Sequence, residues 1–307
     1  MRAVALLSGG KDSVYSLLKA VQHGHEVVAI GHLAAPAETV EADSMMFQSV
    51  GSQVVPAIAT ECLGLPFFSI PFERDSALNT DLHYKPTAND EVESITQLLR
   101  LVCSTVPHVE AVLSGAILSD YQRIRVESVC ERLGLRSLAF LWQRTQAELL
   151  REMVACGMEA VLIKIGCMGL QVSHLGKSLA ELEPHLLHLE EQFGAHVCGE
   201  GGEYETLVLD MPFYASRVVI DAVQNHVLTA DKYAPVAVQV IEQFHLEKKD
   251  AFVPITSGIS PLGPPPLGLS IAASIIEGTS TNAVAPTNAV APLTVSRAAK
   301  TQAQLFS

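Results

Sequence analysis

Short apolar runs alternate with amphipathic stretches along the first third of the chain. The apolar runs predict strands at residues 3–7, 26–33, 65–72 and 109–117. The amphipathic stretches between them predict helices at residues 12–23, 44–63 and 87–104. Strands separated by helices are typical of a parallel sheet that is covered on both faces. We therefore predict an α/β fold with a doubly wound parallel sheet.

The alternation continues after residue 115 on a smaller scale. Two capping boxes, S-x-x-Q from Ser119 and T-x-x-E from Thr145, predict the starts of helices that end at Leu133 and Gly157. Short strands are predicted at residues 160–166, 195–199 and 215–223. These elements indicate a second, smaller α/β domain.

The composition changes again near residue 250. The remaining stretch contains GPPPLG, a duplicated TNAVAP and few charged residues, and it has no clear periodicity. Such a composition predicts a low-complexity, disordered tail. We therefore predict a first domain over residues 1–125, a smaller domain over residues 126–248 and a tail over residues 249–307.

Charge and cysteine content narrow the functional classes. The 307 residues include 33 acidic and 20 basic side chains, for a formal net charge of −13, which disfavours nonspecific binding to nucleic acid. The six cysteines form no C-x-x-C pair, which argues against a zinc site, an iron–sulfur site or a disulfide framework. No signal peptide and no membrane span is expected, since no apolar run is long enough. These features predict a cytoplasmic protein that does not act on membranes.

The segment LLSGGKDS follows the first predicted strand. It combines a glycine pair, a lysine and two hydroxyls at the start of a helix, a setting in which main-chain N–H groups and the helix dipole bind anions. The residues concerned are Ser8, Gly9, Gly10, Lys11, Asp12 and Ser13. Two glycines alone would fit a plain turn capped by Asp12 or Ser13. The spacing is not that of the Walker motif, but S-G-G-x-D-S resembles the PP-loop signature of ATP pyrophosphatases, which holds a β,γ-pyrophosphate.

A second group of polar residues follows the fourth predicted strand, at the sheet edge where ligands of open α/β sheets bind. It comprises Ser119, Asp120, Tyr121, Arg123 and Arg125. A capped helix with two solvated arginines fits the same residues, and the pattern leaves both interpretations open.

The stretch CGEGGEYETLVLD carries three acids within six residues. Glu200, Glu203 and Glu205 would repel one another unless a cation lies among them, such as Mg²⁺, ammonium or a cationic substrate side chain. Gly201 and Gly202 interrupt the acids, and Tyr204 offers an aromatic face for a quaternary ammonium group. An exposed acidic turn is the alternative. The flanking apolar strands favour a binding site.

Four stretches together resemble the diphthine–ammonia ligase family, a branch of the PP-loop ATP pyrophosphatases. They are LLSGGKDSVYSL, GAILSDYQRIRVE, LAFLWQRTQAELLREM and HVCGEGGEYETLVLD. The resemblance covers about residues 1–245. It implies a PP-loop ATP-binding domain and a smaller substrate-binding domain, with the active site between them.

The resemblance also implies a reaction and its participants. Members of this family convert diphthine on translation elongation factor 2 into diphthamide with ATP and ammonium, through an acyl-adenylate, and release AMP and pyrophosphate. ATP and Mg²⁺ are therefore the expected cofactors. The motif residues 8–13 would bind the nucleotide, and Lys11, Asp12 and the three glutamates would serve catalysis. The group after the fourth strand would bind substrate together with Gly201, Gly202 and Tyr204. The acidic turn would hold either the trimethylammonium group of diphthine or ammonium, and the general base stays unassigned.

Two other functions fit parts of the sequence. A tRNA-modifying PP-loop enzyme would usually have a basic surface or a cysteine nucleophile, which the net charge and the missing C-x-x-C disfavour. A nonenzymatic ATP-binding regulator on the same fold would have no use for the acidic turn.

Overall fold

A five-stranded sheet forms the first half of the protein. The computed structural model describes residues 1–35, 44, 46–71, 81–82 and 84–255. All strand pairs of this sheet are parallel, in the order β3-β2-β1-β4-β5. The strands are β1 Arg2–Leu6, β2 Glu26–Ala34, β3 Phe67–Pro71, β4 Ala111–Leu113 and β5 Arg136–Leu138. This order reverses direction beside β1, as in doubly wound sheets, and confirms the predicted fold class.

The helices lie between these strands and around the second sheet. They are α1 Lys11–Gln22, α2 Val55–Ala57, α3 Glu91–Thr105, α4 Asp120–Leu133, α5 Gln146–Ala155 and α6 Leu179–Phe193. Short polar side chains begin several of them, because the first N–H groups of a helix need an acceptor. Asp90 accepts from the N–H of Val92 at 2.9 Å, and Ser119 accepts from the N–H of Gln122 at 3.3 Å.

A four-stranded sheet forms the second half, and its pairs are antiparallel. The order is β7-β6-β9-β8. The strands are β6 Glu159–Ile165, β7 Tyr204–Asp210, β8 Ser216–Thr229 and β9 Val236–Lys248. Helix α6 packs against β6, and α5 packs against α6. Central β6 carries the buried residues Leu162, Ile163 and Ile165, since strands on both sides and a helix above cover it.

The two sheets share one hydrophobic core. Leu17 of α1 and Ile58 lie in the same buried cluster as Ile163 of β6 and Leu207 of β7. The turn after β1 lies between the two sheets. A Cβ on Gly9 would lie 3.2 Å from Val55 Cγ2 and 3.3 Å from Leu207 Cδ1. The residues that follow β1 are therefore held by side chains from both halves.

Three local predictions are wrong. The helix predicted from residue 44 begins only at Ser52, after Gly51 adopts a φ of +78°, and it continues as short turns to Cys62. The side chain of Thr145 makes no capping hydrogen bond, although α5 starts at the next residue. The strand predicted at residues 195–199 is a turn, because the N–H of Gly199 donates back to the carbonyl of His196 at 2.8 Å.

The predicted tail begins inside the packed structure. Lys249 Nζ donates to Asp210 Oδ1 at 2.9 Å and to the Met211 carbonyl at 2.8 Å, and the side chain of Ile255 is buried in the core. Residues 256–307 of the predicted tail lie outside the described residues. The division after residue 125 stays a prediction, and α4 runs across it.

Candidate active site

The SGGKDS segment forms the turn between β1 and α1. Gly9 has a φ of +84°, a conformation that favours glycine. The Ser8 and Ser13 hydroxyl oxygens lie 3.2 Å apart, and the N–H of Gly10 donates to Ser8 Oγ at 3.3 Å. Helix α1 begins without a side-chain cap, so its positive N-terminal end faces this turn. The arrangement suits an anion, and we call these residues, 8–13, the phosphate turn.

The chain after β4 lies directly beside the phosphate turn. A Cβ on Gly115 would lie 2.9 Å from the Asp12 carbonyl carbon and 2.9 Å from the Ser13 nitrogen, so a side chain has no room at this position. Ser16 Oγ donates to the Ser114 carbonyl at 3.2 Å and joins the same two segments. The turns after β1 and β4 therefore flank the point where the strand order reverses, which is where open α/β sheets bind ligands.

Lys11 is a buried cation at the seam between the two sheets. Its side chain is 3% exposed, and its Nζ donates to Asp12 Oδ2 at 2.8 Å and to the main-chain carbonyl of Cys198. Burial alone would lower the pKa of Lys11, but the neighbouring Asp12 carboxylate outweighs burial, and the pKa is raised. Lys11 therefore stays an ammonium group at neutral pH.

The acidic turn, residues 198–206, packs onto the phosphate turn. The N–H of Val208 donates to the Gly9 carbonyl at 2.9 Å, and the N–H of Lys11 donates to Thr206 Oγ1 at 3.0 Å. Gln48 Nε2 donates to the Thr206 carbonyl at 3.0 Å. The structure thus brings together two of the sequence motifs, which lie almost 200 residues apart.

Glu200 fastens the acidic turn to the chain after β4. Its carboxylate accepts from the N–H of Ile117 at 2.6 Å and from the N–H of Leu118. Burial raises the pKa of Glu200, whereas the two N–H groups favour the ionised form. The Glu200 carboxylate therefore holds the acidic turn against the chain after β4.

The other two glutamates have different partners. Glu203 Oε1 accepts from the N–H of His196 at 2.9 Å, while the buried Glu203 Oε2 has no hydrogen-bond partner in the described part of the chain. Glu205 Oε1 accepts from Lys164 Nζ at 3.0 Å. Gly201 and Gly202 form the bend before these residues. The sequence led us to expect three carboxylates around one cation, and the structure instead gives each carboxylate its own partner.

Tyr204 does not offer the aromatic face that its position in the sequence suggested. The residue is 2% exposed, its hydroxyl donates to the Val197 carbonyl at 2.6 Å, and Lys11 Nζ lies 5.0 Å from the ring centroid. The cation over this ring is therefore the protein's own lysine, and the ring is closed to a trimethylammonium group in this conformation.

The residues at the start of α4 are engaged with one another. Ser119 caps the helix, and the Arg123 guanidinium pairs with Asp120 and Glu127, both at 2.9 Å. The same guanidinium lies 4.5 Å from the Trp142 ring centroid. Because it already contacts two carboxylates, Arg123 presents no net positive charge to a ligand here.

Arg125 is enclosed by aromatic side chains. It is 0% exposed, and its guanidinium lies 3.3 Å from the ring centroid of Tyr121 and 5.3 Å from that of Tyr84. Its nitrogens also donate to the main-chain carbonyls of Tyr121 and Asp81, each at 3.3 Å. The guanidinium of Arg125 is therefore held inside the protein by Tyr121, Tyr84 and two main-chain carbonyls.

The described residues were also searched for a metal site and for a membrane-spanning helix. Within them, no group of three or more His, Cys, Asp or Glu side chains is arranged to hold a metal ion. None of the helices in these ranges combines the length and the apolar character needed to cross a bilayer.

Comparison with known proteins identifies the family. A model described as the diphthamide synthase N-terminal domain matches residues 1–137, and one described as the diphthamide synthase C-terminal domain matches residues 145–237. The diphthine–ammonia ligase of Danio rerio is 48% identical over 252 residues, which cover 81% of this chain and 98% of the relative. The chain belongs to the diphthine–ammonia ligase family.

Other members of the diphthine–ammonia ligase family differ in length. The enzyme of Homo sapiens is 45% identical over 83% of this chain and 96% of its own length. The enzyme of Schizosaccharomyces pombe is 50% identical over 72% of this chain but only 36% of its own length. Among solved structures, a predicted tRNA methyltransferase subunit of Methanocaldococcus jannaschii matches 69% of this chain and 97% of its own at a TM-score of 0.35 with 14% identity, and we infer nothing from this likeness.

One residue beside the acidic turn, His196, was not among the residues predicted from the sequence. His196 opens the fourth motif stretch, and its main chain and ring bond to Glu203 and Glu200. The side chain is 14% exposed, and burial together with the charge of Lys11 lowers its pKa from 6.5 to about 4. The position of His196 directly before the glycine-rich acidic stretch is a feature of the sequence from which this residue could have been predicted.

The low pKa of His196 predicts that the free energy of unfolding decreases as the pH falls from 6.5 towards 4. The unfolded chain takes up this proton at a higher pH than the folded chain does, so protonation favours unfolding, and the full stability is present above pH 6.5. The loss attributable to His196 approaches about 3 kcal/mol. The charged groups around the ring are Lys11, the Glu200 carboxylate, which lies 3.7 Å from Nε2, and the Glu203 carboxylate, which accepts from the main-chain N–H of His196.

Urea unfolding at about pH 7 and about pH 4.5 checks this prediction. A His196→Gln variant, whose side chain does not titrate, should show a smaller decrease between the two pH values than the unchanged chain. Equal decreases in the two proteins would contradict the assignment.

Proposed function

We propose that this chain converts the diphthine side chain of translation elongation factor 2 into diphthamide with ATP and ammonium, and releases AMP and pyrophosphate. Its membership of the diphthine–ammonia ligase family supports this reaction. The observation that carries the proposal for these residues is the contact between the phosphate turn and the acidic turn through Lys11 and Cys198. This contact places an anion-binding turn beside the acidic turn, so ATP and a cationic substrate would lie close together. The substrate implies that the enzyme works in the cytoplasm.

The proposed chemistry has two steps. A carboxylate resists direct attack by ammonia because oxide would have to leave. In the first step a carboxylate oxygen of diphthine attacks the α-phosphorus, the bond from that phosphorus to the bridging oxygen breaks, and pyrophosphate leaves. In the second step the nitrogen of ammonia attacks the acyl carbon of the adenylate, AMP leaves, and the extra proton on nitrogen passes to a base. Holding both reactants in place supplies much of the rate enhancement.

We assign the phosphate turn to the β,γ-pyrophosphate. Main-chain N–H groups, the Ser8 and Ser13 hydroxyls and the dipole of α1 suit a leaving polyanion. Lys11 supports this anion with a fixed positive charge from its buried position. Asp12 Oδ1 is buried without a hydrogen-bond partner among the described residues, which fits one ligand of Mg²⁺, an ion that usually takes one or two carboxylates together with phosphate oxygens. When bound, Mg²⁺ would spread the charge of the pyrophosphate.

We assign the cation of the reaction to Glu203. Its Oε2 is buried and has no partner in the described part of the chain, so this acceptor is free to bind a cation. Glu205 supports the acidic turn by accepting a hydrogen bond from Lys164, and Glu200 supports it by accepting one from the N–H of Ile117. The cation is either ammonium or the trimethylammonium group of diphthine, and Gly201 and Gly202 leave room at the bend for the substrate.

The arginines of α4 have a different role from the one expected. The family resemblance implies that Arg123 and Arg125 bind substrate. The guanidinium of Arg125 is enclosed by Tyr121 and Tyr84, and that of Arg123 pairs with two carboxylates. We therefore propose that both shape the wall of the site, with Ser119 and Asp120 fixing the start of the helix.

Release of AMP and pyrophosphate tests the proposal. The purified chain is mixed with ATP, Mg²⁺ and diphthine-bearing elongation factor 2, with and without ammonium. We expect nucleotide cleavage only with the factor present and amide only when ammonium is added. ATP binding without cleavage under every condition would indicate a regulator, and cleavage that depends on RNA instead would indicate a tRNA-modifying enzyme.

A further inference from the structure

His196 lies where the acidic turn meets the phosphate turn. Its main-chain N–H donates to Glu203 Oε1 at 2.9 Å, and its Nδ1 lies 3.4 Å from the main-chain nitrogen of Glu200. Lys11 is close enough to affect the charge of the ring. The imidazole is therefore fixed by the acidic turn, and the charge of Lys11 acts on it.

The hydrogen bond at Nδ1 determines the tautomer of the ring. A main-chain N–H can only donate, so Nδ1 of His196 is the acceptor from Glu200 and carries no proton. The neutral ring must then carry its proton on Nε2. This Nε2–H is buried and has no partner among the described residues, and its nearest carboxylate oxygen, Glu200 Oε2, lies 3.7 Å away. A buried donor without an acceptor is costly, and such a group in a candidate site points to a ligand.

The surroundings of this donor identify the chemistry of its acceptor. The positive charge of the buried Lys11 acts on this ring, and the nearest carboxylate, that of Glu200, already accepts from two main-chain N–H groups, so an oxygen that carries negative charge is favoured as the acceptor. Burial and the charge of Lys11 lower the pKa of His196, so the ring is neutral at physiological pH before a ligand binds. We have assigned the phosphate turn to the β- and γ-phosphates. The next anionic group along a nucleotide is the α-phosphate.

We propose that the Nε2–H of His196 donates a hydrogen bond to a nonbridging oxygen of the α-phosphate of the bound nucleotide. This inference rests on the proposed function, since it takes ATP as the nucleotide. His196 would then contact the reacting phosphorus group in both the ground state and the pentavalent transition state. It is a neutral donor that complements the fixed charge of Lys11.

Two substitutions separate this donor role from a structural role. The side chain of His196→Gln reaches the position of Nε2 with an amide N–H₂, whereas that of His196→Asn reaches only the position of Nδ1 and can still accept from Glu200. If His196 only supports the turn, the Asn variant should behave like the unchanged chain. If His196 binds the α-phosphate, the Gln variant should retain binding and the Asn variant should lose it.

Calorimetric titration of the full chain provides a readout that does not depend on turnover. The probes are α,β-methylene-ATP, which contains the α-phosphorus group but is not cleaved there, and inorganic pyrophosphate, which lacks that group. We expect His196→Asn to weaken binding of α,β-methylene-ATP about tenfold, His196→Gln to weaken it much less, and neither to change pyrophosphate binding. Thermal melting of each variant confirms that it is folded.

The outcomes separate this inference from the proposed function. Unchanged affinity of the Asn variant for α,β-methylene-ATP, or equal losses of both probes in the two variants, would overturn the role of His196 and leave the ligase proposal standing. An unchanged chain that binds neither probe would overturn both.

Discussion

Replacing Lys11 with methionine is expected to reduce pyrophosphate release by roughly 100- to 1000-fold, since one fixed charge that stabilises a leaving anion is lost. Methionine has a similar length and fits the apolar part of the lysine site. The same change should also destabilise the fold. Asp12, whose side chain is 28% exposed, loses its partner, and the buried carbonyl of Cys198 loses a donor. Together these losses should cost about 2–3 kcal/mol.

A double variant separates the two effects of Lys11. In Lys11→Met/Asp12→Asn the unpaired carboxylate is removed as well, so part of the stability should return because the two sites are in contact. Activity should not return, since the positive charge is still missing and the carboxylate oxygen that we assign to Mg²⁺ is lost as well, so the double variant is compared with Asp12→Asn alone. Urea unfolding and AMP release are measured on the unchanged chain, both single variants and the double variant. Turnover that recovers in parallel with stability would show that Lys11 acts only on folding.

The phosphate turn was predictable because its conformation depends on residues next to one another. An apolar strand, a glycine pair and a helix start within residues 3–13 determine the turn, and its φ of +84° at Gly9 follows from the same local chemistry. The parallel sheet was predictable for a related reason. Strands buried on both faces are apolar throughout, and helices between them force parallel pairing.

The partners of the acidic residues were not predictable from the same pattern. Glu200 accepts from main-chain N–H groups of Ile117 and Leu118, more than 80 residues earlier, and any residue type carries such a group. The sequence shows how many charges are close together, but not which donors the fold brings to them. The Lys11 side chain illustrates the same limit, since its main-chain acceptor belongs to Cys198.

The aromatic residue of the acidic turn shows how tertiary packing overrides a local motif. The sequence beside Glu203 suggested a cage for a quaternary ammonium group, and Tyr204 begins β7 with its side chain in the core. Side chains alternate between the two faces of a strand, so Glu205 lies on the face opposite to Tyr204. A cation bound to the Glu205 carboxylate therefore lies on the face of β7 opposite to the Tyr204 ring.

Replacing Glu203 with glutamine is expected to reduce amide formation roughly 100-fold, the size of effect usual for loss of one acid–base or charge-stabilising group. The substitution keeps the shape of the side chain. Its amide oxygen can still accept from the N–H of His196, so the bend should be retained. The charge at Oε2 is lost, and a donor replaces the acceptor that has no partner among the described residues. Binding of α,β-methylene-ATP should change less than about twofold, as no contact of the phosphate turn is removed.

The step that fails in Glu203→Gln identifies the cation. If Glu203 holds the trimethylammonium group, diphthine binds poorly, and exchange of labelled pyrophosphate into ATP falls together with amide formation. If Glu203 binds ammonium and removes its proton, exchange continues and only the amide step is lost, because the acyl-adenylate still forms. Glu191→Gln, which changes an exposed glutamate of α6 in the same way, serves as the matched control. Unchanged amide formation in Glu203→Gln would remove this residue from the reaction and leave the unpartnered oxygen without a function.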